Sequence, residues 1–361
     1  MQPLGVTLFR QCARCRLCAL WAVSTSALAD HWRGCLVALV LRPPPAPRRA
    51  ESDPKSTGSQ ATTQEPHIFS VPVPVNMALV IGRGAASAAA FVAASASRSL
   101  TASISTLEVE QFRCLTDNYG YLLHDSATGC TAAIDTPEVG PIGAACARRG
   151  WNLTHIFNTH HHADHAGGNV ELKQLYGGCE IIGPAAEAHK IPSIERPVSG
   201  GDCFRFGEHE VHVIDVGGHT LGHVAYHVPS LQAAFVGDAL FALGCGRLFE
   251  GTPEQAWASL QRLAALPPET AVYCAHEYTA SNLRFALSVE PQNEALQARA
   301  REIAELRAVG KPTVPSTIGY ELATNPFLRP ASPALRAHVG VPDHETEEQT
   351  FARLRRMKDM F

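Results

Sequence analysis

The chain has 361 residues, 45% of them hydrophobic and 18% charged, with a formal net charge of −4. That composition is soluble and globular, with length for one large domain or two smaller ones, and its weakly acidic balance removes the electrostatic case for nucleic acid as the main ligand. Eleven scattered cysteines are not the dense framework of a short secreted chain, so reduced thiols are expected.

The charge is unevenly spread. Residues 1–100 carry ten Lys/Arg against four Asp/Glu, a balance of +6 that leaves −10 for residues 101–361. Arg10, Arg14 and Arg16 precede an apolar run over 17–23, and Ala27-Leu28-Ala29 follows, in the order of a signal peptide. Residues 42–66 are Pro, Ser, Thr and charge with almost no large apolar side chain, a disordered composition. Residues 77–105 are rich in Ala and Ser and lack acid, like an organelle transit peptide. We therefore expect a targeting leader over 1–105, addressed to the mitochondrion, with a plastid as the alternative. A start at Met77 or further downstream would instead leave the product in the cytoplasm. No apolar run here reaches the ~20 residues that span a bilayer, so no membrane anchor is expected. The Cys12–Cys15–Cys18 string has no partner motif in the leader and is read as incidental.

From Leu107 onward the pattern changes. "LEVEQF" alternates, "YGYLLHD" and "TAAID" are short and apolar, and "DN" and "TG" mark turns, which predicts a meander of strands. "GPIGAACARRG" reads as a helix. Four apolar runs then end in metal-binding residue types: "HIFNT" runs into His160, "VHVIDVGG" into His219, "AAFVG" into Asp238 and "AVYCA" into His276. Sites in layered α/β folds gather where strand ends meet loops.

The stretch "NTHHHADHAGG" (158–168) supplies the remaining candidates. Residues two apart on an extended segment point the same way, so His160 and His162 face one side and His161 points elsewhere, in a supporting role. The chain is expected to turn into a helix near Ala166, directing Asp164 and His165 toward a neighbouring centre, with Gly167 and Gly168 leaving room for backbone. Nitrogen and oxygen donors without thiolate suit zinc and admit iron or manganese. Seven ligands (His160, His162, Asp164, His165, His219, Asp238, His276) exceed one tetrahedral ion but suit two, if a carboxylate bridges. Asp238, alone at its strand end, is the expected bridge, and two ions ~3.5–4 Å apart depress the pKa of a shared water. His155, His189, His209, His212 and His227 are expected to carry no chemistry.

These residues resemble the T-H-x-H-x-D-H signature of the metallo-β-lactamase superfamily. More closely, the chain is similar to the glyoxalase II (hydroxyacylglutathione hydrolase) family, through "LTDNYGYLL" (115–123), "GHTLGH" (218–223), "GDALFALGCGRLFEGT" (237–252), "CAHEYT" (274–279), "NPFLR" (325–329) and "RRMKDMF" (355–361). The likeness runs from about 107 to 361. It implies an α/β fold: a four-layered αββα sandwich over 106–276, followed by a small helical, glutathione-binding domain over 277–361. It also implies a first divalent ion on His160, His162, His219 and Asp238, and a second on Asp164, His165, Asp238 and His276. Asp135 would orient a ligand or the attacking water.

The implied reaction is metal-assisted hydrolysis of the thioester S-D-lactoylglutathione to D-lactate and glutathione, the last step of methylglyoxal detoxification. Asp164 and Asp238 would be its catalytic carboxylates. The substrate's peptide arm carries two carboxylates, so an acidic body must supply local cations; Arg247, Arg355 and Lys358 match the family's contacts, as does Tyr278. Arg355 and Lys358 stand three apart and share a helix face. Phe249 stands where some members have tyrosine, which removes a hydroxyl contact typically worth ~1 kcal/mol. Cys245 is read as a packing residue, since no base is assigned to it, and there is no G-x-S-x-G nucleophile elbow. The rival readings are a single-iron persulfide dioxygenase of the same superfamily and an inactive scaffold, which would be expected to have lost a ligand. The expected partner is a small molecule alone, with no nucleic acid or membrane, and nothing like a heptad repeat calls for assembly beyond a monomer.

Overall fold

The computed structural model describes residues 106–361, all within one compact unit; the leader's targeting features, Met77 and the Cys12–Cys15–Cys18 string lie outside the described residues. Strands β1 (Leu107–Cys114), β2 (Asn118–Asp125) and β3 (Cys130–Ile134) form the expected antiparallel meander. It is extended in parallel by β4 (His155–Phe157), β5 (Glu180–Pro184) and β6 (Arg196–Val198). The crossovers carry α1 (Val139–Arg149), a short α2 (Ala163–Ala166) and α3 (Asn169–Leu175).

Every residue of β2 is buried, as a strand covered on both faces requires. The pleat sorts this sheet into two cores. Tyr121, Leu123, Ala132, Ile134, Phe157 and Ile182 enter the larger one. Their neighbours Leu122, Ala133, Ile156 and Ile181 face Ile142 and Ala145 of α1 and Leu172 of α3.

The second sheet contains β7 (Cys203–Phe206), β8 (His209–Asp215), β9 (Val224–Val228) and β10 (Ala233–Gly237). A small hairpin, β11 (Leu240–Phe241) with β12 (Gly244–Cys245), precedes β13 (Ala271–Cys274) and β14 (Ser316–Thr317), which complete the sheet in the order β14-β13-β10-β9-β8-β7. Phe204, Phe206, Val211, Val213, Tyr226 and Phe235 turn toward the first sheet and share its larger core. Phe157 sits at the seam, its ring 5.3 Å from Phe204, 5.5 Å from Phe206 and 5.4 Å from Tyr226. Helix α4 (Pro253–Ala264) starts at a Thr252–Gln255 capping box with proline at its first turn. It adds Leu260 and Leu263 to the core, and its Ser259 and Arg262 donate to the carbonyls of Gly217 and Asp215. The layers are thus helix, sheet, sheet, helix: the expected αββα sandwich.

Helices α5 (Thr279–Val289), α6 (Glu294–Ala308), α7 (Ile318–Thr324), α8 (Pro333–His338) and α9 (Glu347–Met360) make up the C-terminal part. It is stitched into the sandwich: β14 pairs with β13, and Phe285, Phe327 and Phe351 belong to the main core. Inside it, the buried Arg299 guanidinium meets Glu321 at 2.6 Å and is completed by Ser316 and Thr324. Among the described residues no helix is long and apolar enough to cross a membrane.

Candidate metal centre

The four strands that lead into the candidate ligands come from both sheets: β4 from the first, β8, β10 and β13 from the second. Their ends meet at one edge of the sandwich. Asn158, just past β4, is pinned there on all sides. Its N–H donates to Ile182 (2.8 Å), its carbonyl accepts the Tyr226 hydroxyl (2.7 Å), and its Nδ2 donates to the His165 carbonyl (2.8 Å). His162 is still extended (ψ 150°), and α2 begins at Ala163, three residues before the expected point, so Asp164 and His165 lie in its first turn rather than ahead of it. Gly237 ends β10 at φ +49°, and a Cβ there would lie 2.5 Å from the Thr159 hydroxyl and 2.8 Å from the His223 ring. Only glycine lets β10 bring Asp238 this close to the bend.

Three imidazoles converge first. Nδ1 of His162 lies 3.0 Å from Nε2 of His160 and 3.1 Å from Nε2 of His219. A second group is made by Asp164, His165 and His276, with Oδ2 of Asp164 3.5 Å from Nε2 of each histidine. Asp238 stands between them. Its Oδ2 is 3.4 Å from His219, and its Oδ1 is 3.6 Å from His165 and 3.4 Å from His276. One carboxylate therefore faces both groups with different oxygens.

Outer partners fix which nitrogen each imidazole presents. Nδ1 of His165 donates to Asp135 (2.8 Å), Nδ1 of His276 to Asp117 (2.9 Å) and Nδ1 of His219 to the Arg247 carbonyl (2.8 Å). In each case Nε2 is left to face the centre. Asp135 thus orients His165, and it also accepts from the N–H and hydroxyl of Thr159; it sits at φ +59°, an uncommon backbone state for a residue with a Cβ. Sequence reasoning missed Asp117, which is 159 residues from its partner, although it lies inside the quoted "LTDNYGYLL". It missed His223 as well, the second histidine of "GHTLGH". That ring accepts the Asp238 N–H (3.1 Å) and stacks on His160 at 4.5 Å. His161 turns away, as expected, onto buried Glu187 (2.8 Å).

Charge completes the description. Burial and neighbouring imidazoles keep His160 well below its ordinary pKa, and burial lowers His219, so both are neutral at pH 7, the form in which an imidazole can take a metal ion. Burial alone would raise the Asp238 carboxyl, but His165 and His276 override it and hold it below the carboxylate range. Burial would lower His165, yet Asp135 and Asp238 keep it well above 6.5: a proton there does what a cation would do. Nε2 of His165 and Oδ1 of Asp238 are buried with no hydrogen-bond partner, a costly state unless something positive binds between them. The donor set and these orphaned atoms fit divalent metal ions.

A cavity of about 500 Å³ opens from His219 and Asp238 toward α5 and α9, lined by Phe241, Arg247, Phe249, Tyr278, Arg355 and Lys358 among others. All five residues expected to touch substrate line it. Phe249 is exposed and meets the His219 ring edge-on at 5.2 Å. Tyr278 stacks flat on His276 at 4.7 Å, and burial with nearby Asp117 pushes its hydroxyl up to about 12, so it remains a donor. Lys358 Nζ reaches the Ser281 carbonyl at 3.3 Å. Arg355 is buried and partly spent: it holds the Cys245 carbonyl (2.9 Å) and Asp359 (3.0 Å). Asp359, also missed, lies 3.4 Å from Arg247 as well. The Cys245 thiol is raised by burial and is no nucleophile.

Residues 123–276 match the family model described as the metallo-beta-lactamase superfamily, and residues 277–361 match that for the hydroxyacylglutathione hydrolase C-terminus. The chain is 56% identical to a protein from Rhizobium etli named hydroxyacylglutathione hydrolase, over 71% of this chain and 99% of that one. It is 54% identical to one of the same name from Maricaulis maris, over 72% of this chain and all of that one. Among solved structures it resembles ETHE1 from Myxococcus xanthus with a TM-score of 0.50 and 25% identity, covering 69% of this chain and 90% of that one.

Proposed function

The chain belongs to the hydroxyacylglutathione hydrolase family of the metallo-β-lactamase superfamily, and from that premise we propose that it hydrolyses S-D-lactoylglutathione and related 2-hydroxyacylglutathiones to the hydroxy acid and glutathione. The observation that carries this is Asp238, whose two oxygens face separate ligand groups at the floor of a cavity lined by cations.

The seven ligands would hold two divalent ions, zinc by their donor chemistry, with iron or manganese also admitted. When bound, such ions supply Lewis-acid polarisation of the carbonyl and lower the pKa of water. The protein's own residues do the rest. Arg247, Lys358 and Tyr278 hold the glutathione arm, whose carboxylates need the cations that an acidic body otherwise lacks. Buried Phe241, its ring 5.9 Å from that of His276, walls the thioester end, and exposed Phe249 lies along the peptide arm. Asp164 is the more open of the two catalytic carboxylates; Asn118 donates to its Oδ2 at 3.1 Å, and it orients the attacking water. The C–S bond breaks with glutathione leaving as thiolate, a good leaving group that needs no side-chain acid.

The dioxygenase alternative lacks a helical C-terminus of this kind, and the match over residues 277–361 speaks against it. The basic, Ala/Ser-rich leader supports a mitochondrial address for a monomeric enzyme; a fluorescent fusion of residues 1–105 tests that part. Free-thiol release from S-D-lactoylglutathione tests the reaction. Wild type should release thiol and Asp238→Ala should not, and wild-type protein that leaves this thioester intact would refute the reading.

A further inference from the structure

We infer that the outer face of the second sheet carries an additional transition-metal site, separate from the catalytic centre, built from Cys203, Glu210, His212 and His227. Sequence reasoning set His212 and His227 aside as residues without chemistry. Strand pairing brings them together.

Cys203 on β7 is directly opposite His212 on β8, and His212 is directly opposite His227 on β9. Residues opposite one another point to the same face of a sheet with Cβ atoms ~5 Å apart, so the three form a row across three hydrogen-bonded strands. Glu210, two residues from His212, joins them on that face. The donor atoms of Cys203, Glu210 and His212 all lie within 4.8 Å of one another. Nε2 of His212 is 3.5 Å from the Glu210 carboxylate, and its ring centre is 6.0 Å from that of His227, at 90°.

The surroundings leave these donors available. Cys203 is a free, exposed thiol. Arg205, the residue opposite Glu210, sends its guanidinium to the Glu208 carbonyl instead. Val211 and Val213, flanking His212, point into the core, so the row is held by a packed sheet rather than a loop.

One thiolate, one imidazole and one carboxylate converge, and the His227 ring 6.0 Å from that of His212 stands beside them as the fourth donor, a set that suits a borderline cation of the zinc class. With His227 drawn in, the four donors suit structural or storage binding rather than catalysis. Binding expels the thiol proton, so affinity rises with pH.

The test is equilibrium Zn²⁺ binding to the full chain, read beside Co²⁺ absorption, which reports thiolate ligation. Wild type should bind one more equivalent per chain than Cys203→Ser or His212→Ala. Cys203→Ser should lose a Co²⁺–thiolate band, and His227→Ala should weaken the extra equivalent at least tenfold. Zn²⁺ should also slow maleimide labelling of Cys203 at least tenfold. Catalytic turnover should be unchanged in all three variants. Equal stoichiometry in wild type and both Cys203→Ser and His212→Ala, or labelling of Cys203 indifferent to Zn²⁺, would overturn the inference.

Discussion

Oδ2 of Asp135 lies 2.8 Å from Nδ1 of His165, both side chains are buried, and the aspartate adopts a left-handed backbone state to reach that position. The contact fixes the imidazole's tautomer and strengthens it as a donor. Asp135→Asn keeps the shape and removes the charge, and should weaken metal binding by about 10- to 100-fold. Isothermal titration of metal into stripped protein measures it; an unchanged affinity would mean that the Asp135 charge does not tune the site.

The histidines set opposing pH limits on the metal-stripped protein. His160 and His223 are buried with pKa values well below 6.5, so below 6.5 the unfolded chain takes up protons that the folded one refuses, and stability falls. His165 is held above 6.5, and so is His276; their contribution is full below 6.5 and is lost as pH rises through their folded values. Thermal melts of stripped protein should therefore peak near pH 6.5. Metal should abolish the alkaline decline, because the cation replaces the proton. A stripped protein whose Tm climbs steadily from pH 6 to 9 would contradict this.

Glu187 couples two ligand-bearing segments. It accepts from the N–H of His161 (3.0 Å), from the His161 ring (2.8 Å) and from the N–H of Gly222 (2.8 Å), while Glu250 takes the N–H of Leu221 (3.0 Å). A glutamine would turn a donor toward donors and leave one buried group unsatisfied, at about 1–3 kcal/mol. Glu187→Gln should lower metal affinity and kcat by about tenfold while KM stays put, since the substrate cavity lies elsewhere. A change confined to KM would count against this role.

How much of this could be read from the chain depends on whether partners are close in sequence or only in space. His160, His162, Asp164 and His165 crowd one bend, and His219, Asp238 and His276 each end an apolar run, so local periodicity exposes them. The meander and the buried β2 are legible for the same reason. Asp117 and Glu187 are not, because each acts on a residue in a different segment and no spacing records that contact; Asp359 stands four residues from Arg355 on α9, a readable spacing, and only its approach to Arg247 is hidden. The helix α2 starts earlier than expected because the His162 carbonyl accepts the N–H groups of His165 and Ala166 (2.9 Å each), contacts that no local pattern records. Cys203, His212 and His227 became a group only once the strand register was known.

The cavity residues should divide by kinetic parameter. Phe249→Tyr restores a hydroxyl beside the peptide arm and should lower KM roughly fivefold, as ~1 kcal/mol implies. Lys358→Ala should raise KM by about tenfold or more with kcat little changed, because that contact is equal in ground and transition states. Steady-state kinetics on S-D-lactoylglutathione separate the two parameters. Loss of kcat alone in Lys358→Ala would place that lysine in the chemistry rather than in binding.

On the proposed function, turnover needs two cations together, one for each donor group that Asp238 faces. The most direct measurement is stepwise metal addition to stripped Cys203→Ser protein, which removes the proposed outer site from the count, with bound metal and thiol release followed in parallel. Activity should rise until two ions per chain are bound and then level off, and Asp238→Ala should stay inactive at any metal concentration. Full activity with a single ion per chain, or turnover by Asp238→Ala, would contradict the account.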